Sequence, residues 1–398
     1  MAEHSVIDTR EGYLSAVERI AAGDGPIAVD AERASGFKYS QRAYLIQVFR
    51  RGAGTFLFDP PAVGRFDELN EAIHDDEWVL HAATQDLTCL REVGLDPSIV
   101  FDTELAARLL GMPRVGLGTV VEELLGIHLA KEHSAADWST RPLPEPWLTY
   151  AALDVELLPD LRDAIAALLE EAGKLDIARQ EFADELVRDL VPVRAEPWRR
   201  LSGIHSIRGL RNLAVARELW LSRDALAREL DTAPGRLVPD ASLTAAAKAM
   251  PDSKRALAAM REFTGRASRT ELDRWWAAIE AGRTTDDLPV LRGTGESLPP
   301  PRAWADRNPD ADARLKAART ALTAVSEERA IPLENLLTPD TLRRVAWAPP
   351  AEITPQTVGE ALAAHGARPW QVDATAQVIA QAFVEGPQSA DDGSDPVS

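Results

Sequence analysis

Two acidic residues at the end of an apolar run are the first candidates for chemistry in this sequence. Asp30 and Glu32 are separated by one residue and follow residues 26–29, a Pro-Ile-Ala-Val run typical of a buried strand. Side chains two positions apart on a strand point to the same face, so the two carboxylates are expected to converge. Such anions repel each other unless protons or metal ions neutralise them. A turn or a solvated strand edge would also explain the pair, so a metal site requires further carboxylates.

Three later residues could complete such a site. Asp86 opens a predicted helix just after the apolar residues 78–81, and Tyr150 and Asp154 lie four apart on another predicted helix. Residues four apart share one helix face. Taken singly, each has a simpler explanation: Asp86 as an acid at a helix N-terminus, Tyr150 as a core tyrosine, and Asp154 as a buried acid paired with an arginine. His81 is expected to be a hydrogen-bonded histidine rather than a ligand.

The elements that must position these residues form an α/β pattern. Strands are predicted to lead into Asp30 and to cover residues 44–48, 55–59 and 78–81, and helices to cover the N-terminal region and residues 65–74, 86–93, 103–110, 118–125 and 147–169. The last helix is interrupted near Pro159. Three early strands close together predict an antiparallel start to a mixed sheet, with helices on its faces.

The rest of the chain has a different composition. No β-like alternation occurs in residues 198–281, which predicts a bundle of helices, and a stretch rich in Gly, Pro, Thr and Asp then ends in Pro299–Pro301. The predicted organisation is an α/β domain at 1–193, a helical domain at 194–283, a linker at 284–302, a second helical domain at 303–385 and a disordered tail at 386–398.

Charge is distributed unevenly along the chain. The formal net charge of −19 for 398 residues argues at first against nucleic acid as a partner. Counted by segment, however, residues 1–193 carry −18, residues 194–283 carry +6 and residues 284–398 carry −7. One basic module therefore lies between two acidic segments, and the whole-chain charge conceals it.

Composition also restricts the cellular setting. The single cysteine, Cys89, excludes an intramolecular disulfide and a cysteine-based zinc cluster. The N-terminal residues show no secretory signal, and no apolar run approaches the length that crosses a bilayer. The expectation is a cytoplasmic protein without membrane association.

The acidic motifs, in order, resemble those of a known nuclease superfamily. Asp-x-Glu after a strand, His-x4-Asp at a strand-to-helix junction and Tyr-x3-Asp on a helix are similar to the three exonuclease motifs of the DEDD superfamily, tyrosine branch. Over residues 1–190 the chain most resembles the ribonuclease D family. Intervening stretches agree as well: Leu45-Ile46-Gln47, Phe101-Asp102-Thr103, Leu129-Ala130-Lys131, Asp137-Trp138-Ser139 and Arg141-Pro142-Leu143.

The basic segment carries a second, independent resemblance. Three stretches are similar to the HRDC module, a small helical nucleic-acid-binding domain: Trp198-Arg199-Arg200, Leu237-Val238-Pro239-Asp240 with Leu243, and Met250-Pro251. Residues 303–385 look like a divergent second copy. No Gly-x4-Gly-Lys-Ser/Thr phosphate loop occurs in the sequence, which excludes the helicases that also carry this module.

The resemblance implies a fold, a site and a reaction. The fold is a ribonuclease H-like mixed sheet flanked by helices, followed by all-α HRDC-type domains. Asp30, Glu32 and Asp154 would hold one divalent ion, Mg²⁺ or Mn²⁺, Asp30 would bridge to a second ion with Asp86, and Tyr150 would orient the attacking water. The implied activity is a 3′–5′ exoribonuclease that releases nucleoside 5′-monophosphates from RNA, with the 3′ ends of transfer-RNA precursors as substrate and a monomer as the working form.

Two departures and two alternatives accompany this hypothesis. Ala31 and Arg33 stand where the family usually has Thr and Phe, and Arg33 could contact a phosphate or pair with an acid. A DNA 3′–5′ exonuclease is one alternative, because the same carboxylates serve both polymers and discrimination depends on contacts with the 2′-hydroxyl. A catalytically silent nucleic-acid-binding scaffold is the other.

Overall fold

A computed structural model describes residues 4–129, 133, 135–188, 195–291 and 298–386 of the chain. The predicted disordered tail, apart from residue 386, lies outside the described residues, as do Ala130 and Lys131 of one resembling stretch, the predicted boundary at 193/194 and part of the predicted linker. Among the described residues, no helix is both long enough and apolar enough to span a membrane.

A mixed six-stranded sheet forms the centre of the first domain. Its strands are β1 (Val6–Ile7), β2 (Asp24–Arg33), β3 (Ala43–Arg51), β4 (Gly54–Phe58), β5 (Glu77–Leu80) and β6 (Ile99–Asp102). They are ordered β1-β4-β3-β2-β5-β6. The β2-β3 and β3-β4 pairs are antiparallel, whereas β1-β4, β2-β5 and β5-β6 are parallel. The antiparallel start of a mixed sheet is therefore confirmed, and β2 lies at its centre.

Two strands, β1 and β6, were not predicted from the sequence. The strand β1 has only two residues, too few for alternation to give a signal, and β6 is a stretch of four residues directly before a predicted helix. Both are placed by pairing with neighbours that are already ordered, β1 with β4 and β6 with β5. The four predicted strands are all present.

Nine helices of the described chain surround this sheet. They are α1 (Arg10–Ala21), α2 (Pro60–Val63), α3 (Asp67–Ile73), α4 (Leu87–Glu92), α5 (Thr103–Leu109), α6 (Leu117–Leu125), α7 (Glu145–Glu156), α8 (Leu158–Glu171) and α9 (Leu175–Val187). The break between α7 and α8 falls at Leu157, two residues before Pro159, as the sequence predicts. The helix α7 packs on β2, β3 and β4, which places it across the face that bears the acidic pair.

The basic segment folds as a separate helical module with its own core. Its helices are α10 (Leu210–Glu229), α11 (Pro234–Leu237), α12 (Asp240–Ala249), α13 (Lys254–Ala258), α14 (Arg266–Thr270) and α15 (Leu272–Thr284), preceded by 3₁₀ turns at Pro197–Arg200 and Ile204–Ser206. Trp275 and Phe263 are fully buried in this core and meet edge to face with centroids 6.4 Å apart. No strand occurs in its described residues, as predicted.

The last segment is helical and packs directly on the first domain. After a 3₁₀ turn at Pro301–Ala303, its helices are α16 (Trp304–Arg307), α17 (Pro309–Arg329), α18 (Leu333–Leu336), α19 (Pro339–Trp347), α20 (Pro355–Ala364) and α21 (Pro369–Glu385). Its buried residues form one continuous apolar cluster with those of the first domain. Arg368 donates two hydrogen bonds of 2.7 and 2.6 Å to Glu181 of α9. Removing this segment would therefore expose part of the first domain's core.

Candidate active site

The strand β2 delivers Asp30 and Glu32 to one side of the sheet. They lie opposite Gln47 and Leu45 of β3 in the antiparallel register. Buried neighbours on both sides of β2 hold the strand rigidly, because Ala28, Val29 and Ala31 are almost inaccessible to solvent. The convergence that the one-residue spacing predicts is therefore present, on a strand whose position the core fixes.

The helix α7 brings Tyr150 and Asp154 to the same place. Oxygen atoms of Asp30, Glu32 and Asp154 all lie within 4.8 Å of one another. The hydroxyl of Tyr150, one helical turn before Asp154, donates a hydrogen bond to the Asp154 carboxylate. No arginine or lysine pairs with Asp154 among the described residues, so the simpler explanation as a buried ion pair does not hold.

Asp86 reaches the site from the turn that follows β5. It occupies the N-cap position of α4, yet its side chain makes no capping hydrogen bond. Its carboxyl group instead lies buried beside that of Asp30, and burial followed by the charge of Asp30 raises its pKa. The helix-terminus explanation therefore fails for Asp86, and this fourth acid joins the other three.

A buried acid outside the site holds this turn. Asp102, at the end of β6, accepts backbone N–H groups from Ala82 and Ala83 at 3.0 and 2.6 Å, and it also caps α5 by accepting from Glu104 and Leu105. Ala82 has a left-handed backbone, with φ of 63°. Because L-residues rarely adopt this conformation, the turn needs such anchoring.

Burial and mutual repulsion together favour protons on the four carboxyl groups. Burial, followed by the charges of the other acids, raises the pKa of Glu32 to about 10 and that of Asp154 to about 7. Burial likewise raises the pKa of Asp30 and, with repulsion from Asp30, that of Asp86. Four acids confined in this way require neutralisation by protons or by cations.

The donor set fits hard divalent cations. Every candidate ligand atom is a carboxylate oxygen, which suits Mg²⁺ or Mn²⁺ and not a soft, thiolate-bound metal. The geometry collects Asp30, Glu32 and Asp154 as one cation-binding group, while Asp86 is linked to it through Asp30. The arrangement fits one hard cation between β2 and α7.

Arg33 also points into this cavity, because the strand is irregular at its end. The β2-β3 register shifts between Glu32 and Arg33, and such a bulge redirects a side chain that would otherwise face the opposite side. The guanidinium lies 3.8 Å from the carboxylate of Asp86 and keeps a quarter of its surface exposed. Arg33 thus pairs with Asp86 and also presents N–H donors at the cavity wall.

The five predicted residues share one cavity of about 590 Å³. Its walls also include Arg33, Phe37 and His81. His81 is hydrogen-bonded to the Thr103 hydroxyl at 2.9 Å, and burial lowers its pKa to about 4. A neutral, hydrogen-bonded imidazole is consistent with the prediction that His81 is not a metal ligand.

Gln47 is a site-adjacent residue to which the sequence analysis assigned no role. It is fully buried opposite Asp30, and neither polar atom of its amide has a hydrogen-bond partner among the described residues. In the sequence, Gln47 resembles an ordinary residue of the predicted strand at 44–48. The available signal was an amide side chain within an otherwise apolar strand, because a buried amide needs hydrogen-bond partners.

Three family models match successive parts of the chain. A 3′-5′ exonuclease model matches residues 5–170 and an HRDC domain model matches residues 212–279. A model described as 3′ to 5′ exonuclease C-terminal domain matches residues 297–383. For that last segment, the interpretation as a second HRDC copy stays a prediction.

Proteins of known sequence and structure resemble the chain over most of its length. Ribonuclease D of Granulibacter bethesdensis is 31% identical over 280 residues, 67% of this chain and 67% of that protein, and ribonuclease D of Escherichia coli is 29% identical over 84% and 87%. A crystal structure of a Bifidobacterium adolescentis protein has a TM-score of 0.88 and 36% identity over 96% and 97% of the two chains. Escherichia coli RNase D, described as an exoribonuclease involved in structured RNA processing, has a TM-score of 0.71 and 27% identity over 97% and 100%.

Proposed function

The chain belongs to the ribonuclease D family and is a 3′–5′ exoribonuclease, and we propose that it shortens structured RNA, including transfer-RNA precursors, from the 3′ end by a two-metal-ion mechanism. The single observation that carries the proposal is the set of four carboxylates, one buried and three half-buried, and one tyrosine around one cavity. Such a set has no structural purpose of its own, because acids that are withdrawn from water beside one another destabilise a fold.

The carboxylates have distinct roles in this proposal. Asp30, Glu32 and Asp154 would hold one divalent ion, and Asp30 together with Asp86 would hold the second. When bound, such ions lower the pKa of a water molecule and neutralise charge on the phosphate. Because burial and the neighbouring charges raise the pKa of these acids, a cation would compete with protons for the site.

Tyr150 orients the attacking water rather than removing its proton. Burial and the nearby acids raise the pKa of its hydroxyl above the ordinary value of a phenol, so the group stays neutral. With its proton donated to Asp154, the hydroxyl oxygen can accept a hydrogen bond from water. Arg33, at the same wall, is placed to contact a phosphate of the RNA.

The basic HRDC module would supply affinity for the polymer, with 194–283 as its proposed extent. Several of its basic side chains are exposed and have no ion-pair partner within the described part of the chain, among them Arg208, Lys248, Arg255, Arg261, Arg266 and Arg269. Free cations of this kind bind phosphates and make affinity depend on salt. The acidic first domain then needs only to bind the 3′ end.

The experiment that tests this proposal compares polymers, ends and metals in one assay. The full-length protein is incubated with a transfer-RNA precursor carrying a 3′ extension and with DNA of the same sequence, each labelled at the 5′ end. Mg²⁺, Mn²⁺ or a chelator is present. We expect a ladder that shortens from the 3′ end of RNA, release of 5′-monophosphates, and no digestion with chelator.

Matched variants of α7 provide the control. Asp154→Asn removes a proposed ligand with little change in shape and should abolish digestion, whereas Leu153→Ala alters the exposed side chain next to it and should not. Equal activity of Asp154→Asn and wild type would refute the site. Faster digestion of DNA than of RNA would instead favour a DNA exonuclease.

A further inference from the structure

Phe37 lines the active-site cavity and has no role in the mechanism above. Three aromatic rings lie at the described cavity wall, those of Phe37, His81 and Tyr150. Hydrogen bonds already engage His81 with Thr103 and Tyr150 with Asp154. Phe37 therefore provides an aromatic surface at the cavity wall that makes no hydrogen bond of its own and is not a candidate cation ligand.

The HRDC module holds the Phe37 ring in place. The guanidinium carbon of Arg236 lies 3.9 Å from the ring centroid, and its Nε donates a 2.6 Å hydrogen bond to the carbonyl of Gly36. The backbone N–H of Ala233 donates to the carbonyl of Phe37 at 2.9 Å. Arg236 does not itself line the cavity, so it supports the ring from outside.

The segment that carries Phe37 is fastened to the module at further points. It connects β2 to β3 and begins one residue after Arg33. The hydroxyl of Tyr39 donates to Asp224 at 3.1 Å, and the backbone N–H of Ser40 donates to Asp231 at 2.9 Å. The module thus fixes a wall of the cavity whose floor belongs to the first domain.

We propose that Phe37 forms a nucleobase subsite, in which its ring packs against the base of the 3′-terminal nucleotide and Arg236 acts as the positioning residue for the ring. The inference rests on the proposed function, because it assumes a nucleic-acid strand in this cavity. Every base presents an apolar face, so an aromatic ring binds it without sequence preference. One nucleotide is then held by its phosphate at the carboxylates and by its base at Phe37.

The test removes the ring and the base separately. Two RNAs are compared, one ending in an ordinary nucleotide and one ending in an abasic ribose, with wild type, Phe37→Leu and Phe37→Tyr. From the strength of base–aromatic packing we expect Phe37→Leu to lose about tenfold in kcat/KM on the ordinary end and less than about twofold on the abasic end. Phe37→Tyr, which keeps the ring, should recover most of the activity. Equal losses on both ends would overturn the subsite.

A binding measurement keeps this test independent of catalysis. RNA carrying 2-aminopurine as its 3′-terminal base is titrated with each protein in chelator, and the fluorescence change of that base is recorded. We expect quenching with wild type and with Phe37→Tyr, and its loss with Phe37→Leu. Quenching that survives in Phe37→Leu would refute the contact. Quenching by a wild type that fails to digest RNA would refute the proposed function and leave the subsite supported.

Arg236 is tested against a charge-matched control in the same module. Arg236→Ala should reproduce part of the loss on the ordinary end and little of it on the abasic end, because the ring is no longer supported. Arg255→Ala removes the same charge from an exposed position outside the cavity wall and should affect both ends equally. A base-independent effect of Arg236→Ala, indistinguishable from that of Arg255→Ala, would overturn the positioning role.

Discussion

The first domain contains two groups of acids that differ in how their charges are satisfied. The proposed catalytic cluster, Asp30, Glu32, Asp86 and Asp154, has few protein donors and surrounds a cavity. The structural acids are Asp102, which is buried at the N-terminus of α5, and Glu181 and Glu185, which are buried side chains of α9. Asp102 accepts four backbone N–H groups, and Glu181 accepts from Arg368 and from the indole N–H of Trp370.

This difference distinguishes acids that form a functional site from acids that stabilise the fold. A buried carboxylate with several N–H donors strengthens the fold, because those donors would otherwise be unsatisfied. Carboxylates that face one another raise each other's pKa and stabilise nothing until a ligand arrives. Variants of the two groups should therefore change different properties of the protein.

The largest expected effect is on activity, from Asp30→Asn. Asp30 interacts with every other acid of the proposed catalytic cluster, so its loss should lower kcat by about a thousandfold or more, because it removes a proposed ligand of the divalent cations. The free energy of unfolding, measured by denaturant titration, should stay equal or rise, because repulsion is relieved. The control is Asp24→Asn, an exposed acid on the same strand. Marked destabilisation by Asp30→Asn would contradict the comparison.

The converse result is expected for Asp102→Ala. It leaves the backbone N–H groups of Ala82, Ala83, Glu104 and Leu105 without their acceptor. Because each unsatisfied group costs about 1–3 kcal/mol, a loss of at least about 4 kcal/mol in unfolding free energy is expected. Asp102→Asn keeps one acceptor oxygen and should lose less. Activity per folded molecule should fall less than with Asp30→Asn. An unchanged unfolding curve would show that the turn does not depend on Asp102.

Tyr150→Phe should have an intermediate effect that is restricted to the chemical step. Removing the hydroxyl leaves the α7 packing intact and deprives the attacking water of its acceptor, so kcat should fall by about 10- to 100-fold with little change in KM. Steady-state kinetics on one RNA substrate measures both constants. A rise in KM at constant kcat would assign Tyr150 to substrate binding instead.

The comparison also explains which features could be predicted from the sequence. The spacing of Asp30 and Glu32 on a strand, and of Tyr150 and Asp154 on a helix, fixes each pair locally, so these pairs were predictable. Their convergence followed from resemblance to a family and not from spacing. The role of Asp102 in holding the turn after β5 was not predictable, because the two donors in that turn lie some twenty residues away in the sequence.

Long-range contacts account for what was missed. The strand β6 was not predicted and is defined by its pairing with β5. The burial of Glu181 depends on Arg368, which is 187 residues away in the sequence. Phe37 resembled an ordinary loop residue because its partner, Arg236, belongs to another module. Sequence patterns carry local geometry, whereas these features depend on packing between distant segments.

Substitution of Glu185 is expected to have the smallest effect on activity. It also tests the comparison most directly, because Glu185 is a structural acid whose pKa is raised by burial and by nearby acids, as in the proposed catalytic cluster. Its Oε2 atom has no hydrogen-bond partner in the described chain, and burial raises its pKa to about 10. The charged groups that face it are Asp102, Glu181, Asp184 and Arg188, of which only Arg188 favours ionisation. Glu185 is therefore surrounded mainly by other acids, as the proposed catalytic carboxylates are, but it does not line the active-site cavity.

The sign of its pH dependence follows from that raised pKa. The folded protein holds the Glu185 proton at pH values where the unfolded chain has released it, so the stability present below about pH 4.5 is lost progressively as pH rises toward 10. Glu185→Gln removes this titration, and its gain in unfolding free energy over wild type should be at least about 1 kcal/mol larger at pH 8 than at pH 5. Denaturant titrations of both proteins at the two pH values measure the difference. The rate of RNA hydrolysis should be unchanged by Glu185→Gln. Mutually repelling acids are expected to form a functional site only where a cavity admits the cation and the RNA. Loss of activity in a folded Glu185→Gln protein would refute that distinction.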